Sequence, residues 1–241
     1  NIIRTAAEAI KNAKRPLLLI GAGANRKEAR RAISEFIGMI GVPFCNTQMG
    51  KGVVDESSSY FLGTAALSDK DYLHDYIKIS DLIVNVGHDV VEKPPFFMEH
   101  GGTKVIHINY KSAQVNQVYF PQIEVVGDIA MSVDALASAL GSKLDIDLGD
   151  FEKVRDNVKG EIFQLVEEPT FPMRPQEIVS EIRNLMGYHD IIALDNGVYK
   201  IWFARNYLAF QPNTILLDNA LATMGAGLPS AMLAALIHPH R

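Results

Sequence analysis

Residues 16–46 read PLLLIGAGANRKEARRAISEFIGMIGVPFCN, and this stretch decides the fold. Leu17 to Ile20 is a short, unbroken apolar run, the pattern of a strand buried on both faces. It leads into Gly21-Ala22-Gly23-Ala24-Asn25. Asn25 and Glu28 have the spacing of a capping box, with Asn in place of the usual Ser or Thr. Ala29, Ala32, Ile33, Phe36, Ile37 and Ile40 then recur at helical spacing. Gly41 and Pro43 stop that helix, and Val42 to Asn46 is the next strand. Strand, glycine turn, helix and strand make a βαβ unit. Backbone N–H groups of such a turn can hold a phosphate. The third glycine of the dinucleotide fingerprint is missing, and no acidic residue closes the second strand. A phosphate-holding turn and a merely tight crossover both stay open.

The same alternation continues outward. Residues 2–13 predict a helix that Lys14-Arg15-Pro16 ends. Residues 48–67 read as a loop of small residues, and Ser68 and Asp71 as caps of a helix that runs to about Ser80. Strands are expected at 82–86 within DLIVNVG, at 104–109 and at 123–126, followed by a helix over 128–140. The result is an α/β domain with a mostly parallel sheet over residues 1–141. Residues 142–175 change character: charged and Asp-rich at first, Pro-punctuated later, with an amphipathic helix from Phe151 to Val166. They read as an interdomain linker. A second α/β unit, 176–241, begins with a helix over 174–186, Pro175 lying early in it where a missing N–H is harmless. Ile191 to Leu194 is a strand leading to Asp195-Asn196-Gly197-Val198-Tyr199. A helix over 200–208 follows, with Trp202 and Phe203 facing inward, and then a strand at 214–217.

Residues 217–236, LDNALATMGAGLPSAMLAAL, follow that strand. The turn holds almost nothing large besides Leu221 and Met224, so a ligand can approach its backbone closely. From Leu228 onward the pattern is apolar all round and predicts a helix packed on most sides. A lone Met in such a turn either fills core or projects into whatever occupies the space beside it. Ligands of open α/β sheets bind at such carboxyl ends of strands.

Composition sets limits. An apolar share of 48% with 21% charged residues fits a soluble globular protein with a sizeable core. A net charge of −5 argues against a general nucleic-acid binder. The single cysteine, Cys45, excludes an internal disulfide and a multi-cysteine zinc site. It fits a reducing, cytoplasmic setting. No apolar run reaches membrane-spanning length and no signal peptide opens the chain. His74, His88, His100 and His107 lack the spacing of a ligand pair on one helix face, so hydrogen-bonded or solvated histidines are expected.

The run Asn219-Ala220-Leu221-Ala222-Thr223-Met224-Gly225-Ala226-Gly227-Leu228-Pro229 resembles the turn that passes beneath the cofactor in thiamine diphosphate enzymes of the acetolactate synthase type. The resemblance implies that Met224 wedges the cofactor into its bent shape and that the Ala222 carbonyl accepts from the aminopyrimidine, with Thr223 between them. Two glycines of that family's pattern are Ala220 and Ala222 here. Asp195-Asn196-Gly197-Val198-Tyr199-Lys200-Ile201-Trp202 is similar to a family stretch whose turn touches the diphosphate. Asp, Gly and Trp match, while Val198 and Tyr199 replace Gln and His. The resemblance therefore implies cofactor-binding roles for Asn196, Gly197, Val198 and Tyr199 through the backbone, with the Tyr199 hydroxyl a donor in place of imidazole.

The first half resembles the central domain of the same family through AKRPLLLIGAGA, MGKGVVDE, DLIVNVG, IHINY and VVGDI, in that order, and the resemblance implies a Rossmann-like strand order for its sheet. In FAD-binding members an arginine-rich run follows the DLIVNVG-type strand. Here it reads His88-Asp89-Val90-Val91-Glu92-Lys93, which argues against FAD. The chain is expected to be a piece of a longer, homodimeric or homotetrameric enzyme. No catalytic residue and no magnesium ligand falls within it: the Gly-Asp-Gly magnesium run is expected after Arg241 and the activating glutamate before Asn1. The implied reaction decarboxylates pyruvate and joins the product to a second 2-oxo acid. A glyoxylate carboligase, a pyruvate oxidase or a 2-oxo acid decarboxylase shares these motifs. Other readings are an NAD-binding module of the sirtuin-like kind, which the single cysteine disfavours, and a ligand-free scaffold.

Overall fold

The computed structural model describes residues 1–67, 71–88, 92, 98–115, 119–163, 170–218 and 221–241; side chains of 161–163 are not described. A six-stranded, all-parallel sheet forms the first unit. Its strands are β1 (Pro16–Ile20), β2 (Phe44–Thr47), β3 (Phe61–Ala65), β4 (Leu82–Val86), β5 (Lys104–Asn109) and β6 (Ile123–Val126), in the order β3-β2-β1-β4-β5-β6. The central pairing sets Leu18 opposite Val84 on one side and Phe44 on the other. Strand order reverses at β1, between β2 and β4, which places a crevice over the carboxyl ends of those strands.

Both faces of the sheet are covered, which explains the unbroken apolar strands. Leu18 and Ile20 pack with α1 (Ile2–Asn12), α2 (Lys27–Ile40) and α4 (Ile129–Leu140). Leu17 and Leu19 point the other way, into a core shared with α3 (Tyr72–Ile79) and α5 (Gly149–Phe163). Each leucine so buried contributes roughly 1.5–3 kcal/mol. Gly41 ends α2 as its position suggests: its φ of 79° is left-handed, and its N–H donates to the Ile37 carbonyl at 2.9 Å. Asp128 caps α4 by accepting from the Met131 N–H at 2.9 Å.

The second unit holds α6 (Pro175–Leu185), β7 (Ile192–Ala193), α7 (Lys200–Asn206), β8 (Ile215–Leu216) and α8 (Gly227–Ile237). β7 and β8 pair in parallel, Ile192 opposite Ile215. Val179, Leu194, Phe203, Tyr207 and Ile215 form its core, with Trp202 packed partly buried against it. Arg183 ties α6 to the segment after α7. Its guanidinium lies 4.7 Å from the Tyr207 ring and donates to the Tyr207 hydroxyl and the Leu208 carbonyl.

The units meet through a buried ion pair. Lys51 and Glu56 have side chains 1% and 0% exposed and stand 2.8 Å apart. The Glu56 carboxylate also accepts from Asn46 Nδ2, from the Gly52 N–H and from the Ala209 N–H. Lys51 donates in addition to Thr64 Oγ1 and, at 3.3 Å, to the Ala204 carbonyl in the last turn of α7. Such a carbonyl has no partner within its own helix.

Three expectations are corrected. Residues 48–67 are not all loop, since they contain β3. Gly63 in mid-strand and the preceding serines hide the strand, and its register against β2 shifts between Phe44 and Cys45. Asn25 forms no capping box: the residue that flanks α2 is Arg26, and the Asn25 amide donates to Asn213 Oδ1 in the second unit at 2.9 Å. The last helix is not packed on most sides. Leu228, Met232, Leu233 and Leu236 are 57–79% exposed, because within the described chain α8 lies chiefly against β7. The expected cap at Ser68 lies outside the described residues; Asp71 flanks α3 and accepts from the Ala66 N–H.

Candidate functional site

The parallel pairing of β7 and β8 brings two turns together at one end of the second sheet. Asp195 to Tyr199 follows β7, and the Met224 turn follows β8. Asp195 fastens one to the other. Its carboxylate accepts from the Asn196 N–H at 2.7 Å and from the Gly225 N–H at 2.8 Å. The Asn196 N–H is the main reason that this carboxyl is held below the ordinary Asp range. The Gly225, Ala226 and Gly227 N–H groups add to it against the opposing effect of desolvation. Gly227 permits the close approach, since a Cβ there would stand 2.8 Å from the Asp195 nitrogen. Gly225 turns the chain with φ 87°.

A second tie runs through Asn196 and Lys200. Asn196 Nδ2 donates to the Thr223 carbonyl at 2.8 Å. The Lys200 ammonium donates to Asn196 Oδ1 and, at 2.6 Å, to the Asp218 carbonyl. Lys200 is only 7% exposed. Desolvation pushes its pKa down, while Asp218 and Asp195 oppose that shift. Sequence reasoning missed this clamp; the signal was present in a Lys four residues after an Asn at the start of a helix.

With the turns so tied, their free surfaces face outward. Met224 is 83% exposed, Leu221 87%, Val198 69% and Tyr199 38%. Met224 therefore contributes nothing to the core of the second unit. Ala222 has a left-handed φ of 50°, the region where a Cβ costs about 1–2 kcal/mol. Asn219 and Ala220 lie outside the described residues. Replacing Ala222 with Gly relieves the strain, offset in part by the greater freedom of glycine in the unfolded chain, about 0.4–1 kcal/mol. The expected outcome is a net gain of roughly 0.5 kcal/mol, read as a higher denaturation midpoint at unchanged slope.

The glycine turn after β1 has a different occupant. Gly21 and Gly23 donate to the carbonyls of Val86 and Gly87 at 2.9 and 2.7 Å. A Cβ on either would stand 2.8 Å from the Gly87 oxygen, so the glycines serve close packing of two turns. The Glu92 carboxylate then accepts from the Ala22 N–H at 3.0 Å and from the Thr47 hydroxyl. A carboxylate of the chain itself thus sits where an anion would. Beside it lies a 360 Å³ cleft whose lining includes His88, Glu92, His107 and Tyr119. His107 is fixed there by hydrogen bonds at 2.7 Å to the Tyr119 hydroxyl and 2.9 Å to the Lys111 carbonyl. Since a carbonyl only accepts, Nε2 carries the proton and the Tyr119 hydroxyl donates to Nδ1. Asp89, Val90, Val91 and Lys93 lie outside the described residues.

A parallel sheet with a glycine turn, followed by a second unit with two tied turns, defines the class. Residues 3–136 match the model of the thiamine pyrophosphate enzyme central domain, and the chain belongs to that family. Over 98% of its length it is 27% identical to an acetolactate synthase of Bacillus subtilis (strain 168). It is 29% identical over 99% of its length to the catabolic acetolactate synthase of Raoultella terrigena. A probable acetolactate synthase large subunit of Methanococcus aeolicus is 25% identical over 98% of the chain. The chain spans 42%, 44% and 42% of the length of these relatives. Among the described residues no helix is long and apolar enough to cross a membrane.

Proposed function

We propose that residues 1–141 are the central domain, 142–175 the linker and 176–241 the start of the cofactor-binding domain of an acetolactate synthase-type enzyme. Its substrates are pyruvate and a second 2-oxo acid, its setting is the cytoplasm, and the complete protein is a homo-oligomer. The observation that carries this reading is Met224, exposed on a turn that Asp195 and Asn196 hold against a second turn. The residues fit thiamine diphosphate. Gly197, Val198 and Tyr199 offer an exposed backbone turn for the diphosphate, and Ala222, Thr223 and Met224 line the other side. Bound, the cofactor supplies the carbanion and electron sink for decarboxylation and carboligation. The chain's part is to bind and orient it: the Met224 side chain supplies bulk, the Ala222 carbonyl accepts a hydrogen bond, and Lys200 keeps the two turns at fixed separation. Magnesium would accompany the diphosphate, held by residues other than those assigned here. Self-filling of the glycine turn by Glu92 supports a flavin-free enzyme.

Met224 gives the test. In the full-length protein Met224→Ala is expected to change stability by less than about 0.5 kcal/mol, as exposed positions do. Carboligation of pyruvate should fall at least about tenfold, equivalent to roughly 1.4 kcal/mol of barrier. Met224→Leu, nearly equal in volume, should remain close to wild type. A stability loss of about 2–5 kcal/mol in the Ala variant would make Met224 an ordinary core residue and overturn the reading.

A further inference from the structure

A cavity of about 430 Å³ opens beside β3, the edge strand of the large sheet. That volume lies within the range of small-molecule sites, roughly 300–1,000 Å³. Both units contribute walls: Phe61, Leu62, Leu73 and Tyr76 from the first, Leu208 and Phe210 from the second. Gly63 also lines it, and a Cβ added there would meet no described residue within 4 Å. The space borders the C-terminal end of α7, away from the Asn196–Tyr199 turn at its other end.

The charges on this lining are unequal. Its one described carboxylate, Glu56, is already committed to Lys51, Asn46 and two backbone N–H groups. Two cations remain, Arg205 and Lys159. Arg205 is held in place with its guanidinium 4.8 Å from the Tyr72 ring centre, and its ion pair with Asp71 is a long one, 3.6 Å. Among the described residues its Nε finds no hydrogen-bond acceptor and the buried Tyr76 hydroxyl no partner. An oriented guanidinium suits a carboxylate better than an ammonium does, because its planar fork matches both oxygens. Apolar and aromatic walls suit a hydrocarbon body attached to that carboxylate.

We propose that this cavity binds small carboxylates with an aromatic or branched aliphatic body, with Arg205 receiving the carboxylate. The inference stands independently of the thiamine diphosphate reading, since none of the residues assigned to that cofactor lines the cavity. The test uses the full-length protein, labelled with nitrogen-15 at glycine, tyrosine and arginine only, titrated with phenylacetate, phenylacetamide and acetate. Phenylacetate is expected to shift the amides of Gly63, Tyr72 and Arg205 saturably at millimolar concentration. Phenylacetamide should bind at least tenfold more weakly, and acetate should produce no saturable shift. Arg205→Gln should weaken phenylacetate at least tenfold and leave phenylacetamide unchanged. Arg205→Lys should lie between, and Leu208→Trp, which fills the space, should abolish binding of both aromatic ligands. Equal affinity for acid and amide, shifts away from β3 and α7, or no response to Leu208→Trp in a folded variant would each overturn the proposal.

Discussion

Lys51→Met is expected to lower the unfolding free energy by about 3–5 kcal/mol, the usual result of leaving one member of a buried ion pair without its counter-charge. The Glu56 side chain is fully buried, and three uncharged donors remain to hold its negative charge. The loss should be largely local to the junction. The Ala204 carbonyl loses its donor, so α7 should loosen, and Trp202, the single tryptophan of the chain, should report this by red-shifted emission. Combining Lys51→Met with Glu56→Gln should recover most of the stability, because the charge is removed and most of the hydrogen bonds remain. Urea denaturation of the two variants beside wild type checks this. A single-variant loss below about 1 kcal/mol, the level of an exposed pair, would show that the pair is accessible to water after all.

Gly87→Ala should be equally severe, for a steric reason. Gly87 has a left-handed φ of 67°, and a Cβ there would stand 2.7 Å from the Gly23 carbonyl carbon and closer still to the Ala24 nitrogen. Neither neighbour is the end of a flexible side chain, so two backbone turns must separate. The expected cost is on the order of 4 kcal/mol, in the range reserved for forced backbone strain and overpacking. Gly38→Ala is the control. Gly38 lies in α2 with open space around it, and the same substitution there should stabilise by roughly 0.5–1 kcal/mol. If the two variants melt together, the approach of the glycine turn to β4 is looser than described.

The large sheet was legible because its strands are buried on both faces. Leu17–Ile20 is wholly apolar and Leu82–Val86 is broken only by Asn85, which is buried and donates to the Tyr119 hydroxyl; the parallel pairing follows from the helices between them. β3 was illegible for the opposite reason. It is an edge strand with a glycine at its centre, and its pairing with β2 depends on a shift that no local pattern records. The turns after β7 and β8 do follow strands, as the apolar runs before them suggest, yet Lys200 and Glu92 were not singled out. Each has among its partners a backbone group contributed by a distant segment, the Asp218 carbonyl and the Ala22 N–H. Lys51 and Glu56 were hidden likewise: a Lys and a Glu five residues apart read as solvated until the second unit closes over them. α8 shows the converse error. Apolar composition states what a helix requires, and only neighbours decide whether it is met.

Glu92 has a consequence for how the first unit reaches its folded state. A ligand that binds only the folded chain adds RT ln(1 + [L]/Kd) to its stability, and makes the folded fraction follow the supply of that ligand. Here the Ala22 N–H of the β1 turn and the Thr47 hydroxyl at the end of β2 are satisfied by a side chain delivered with the polypeptide itself. The turn carries its counter-ion at a fixed stoichiometry of one, present from synthesis and undiluted by growth. At the Ala22 N–H, folding thus draws on a partner encoded in the chain rather than on an added ligand.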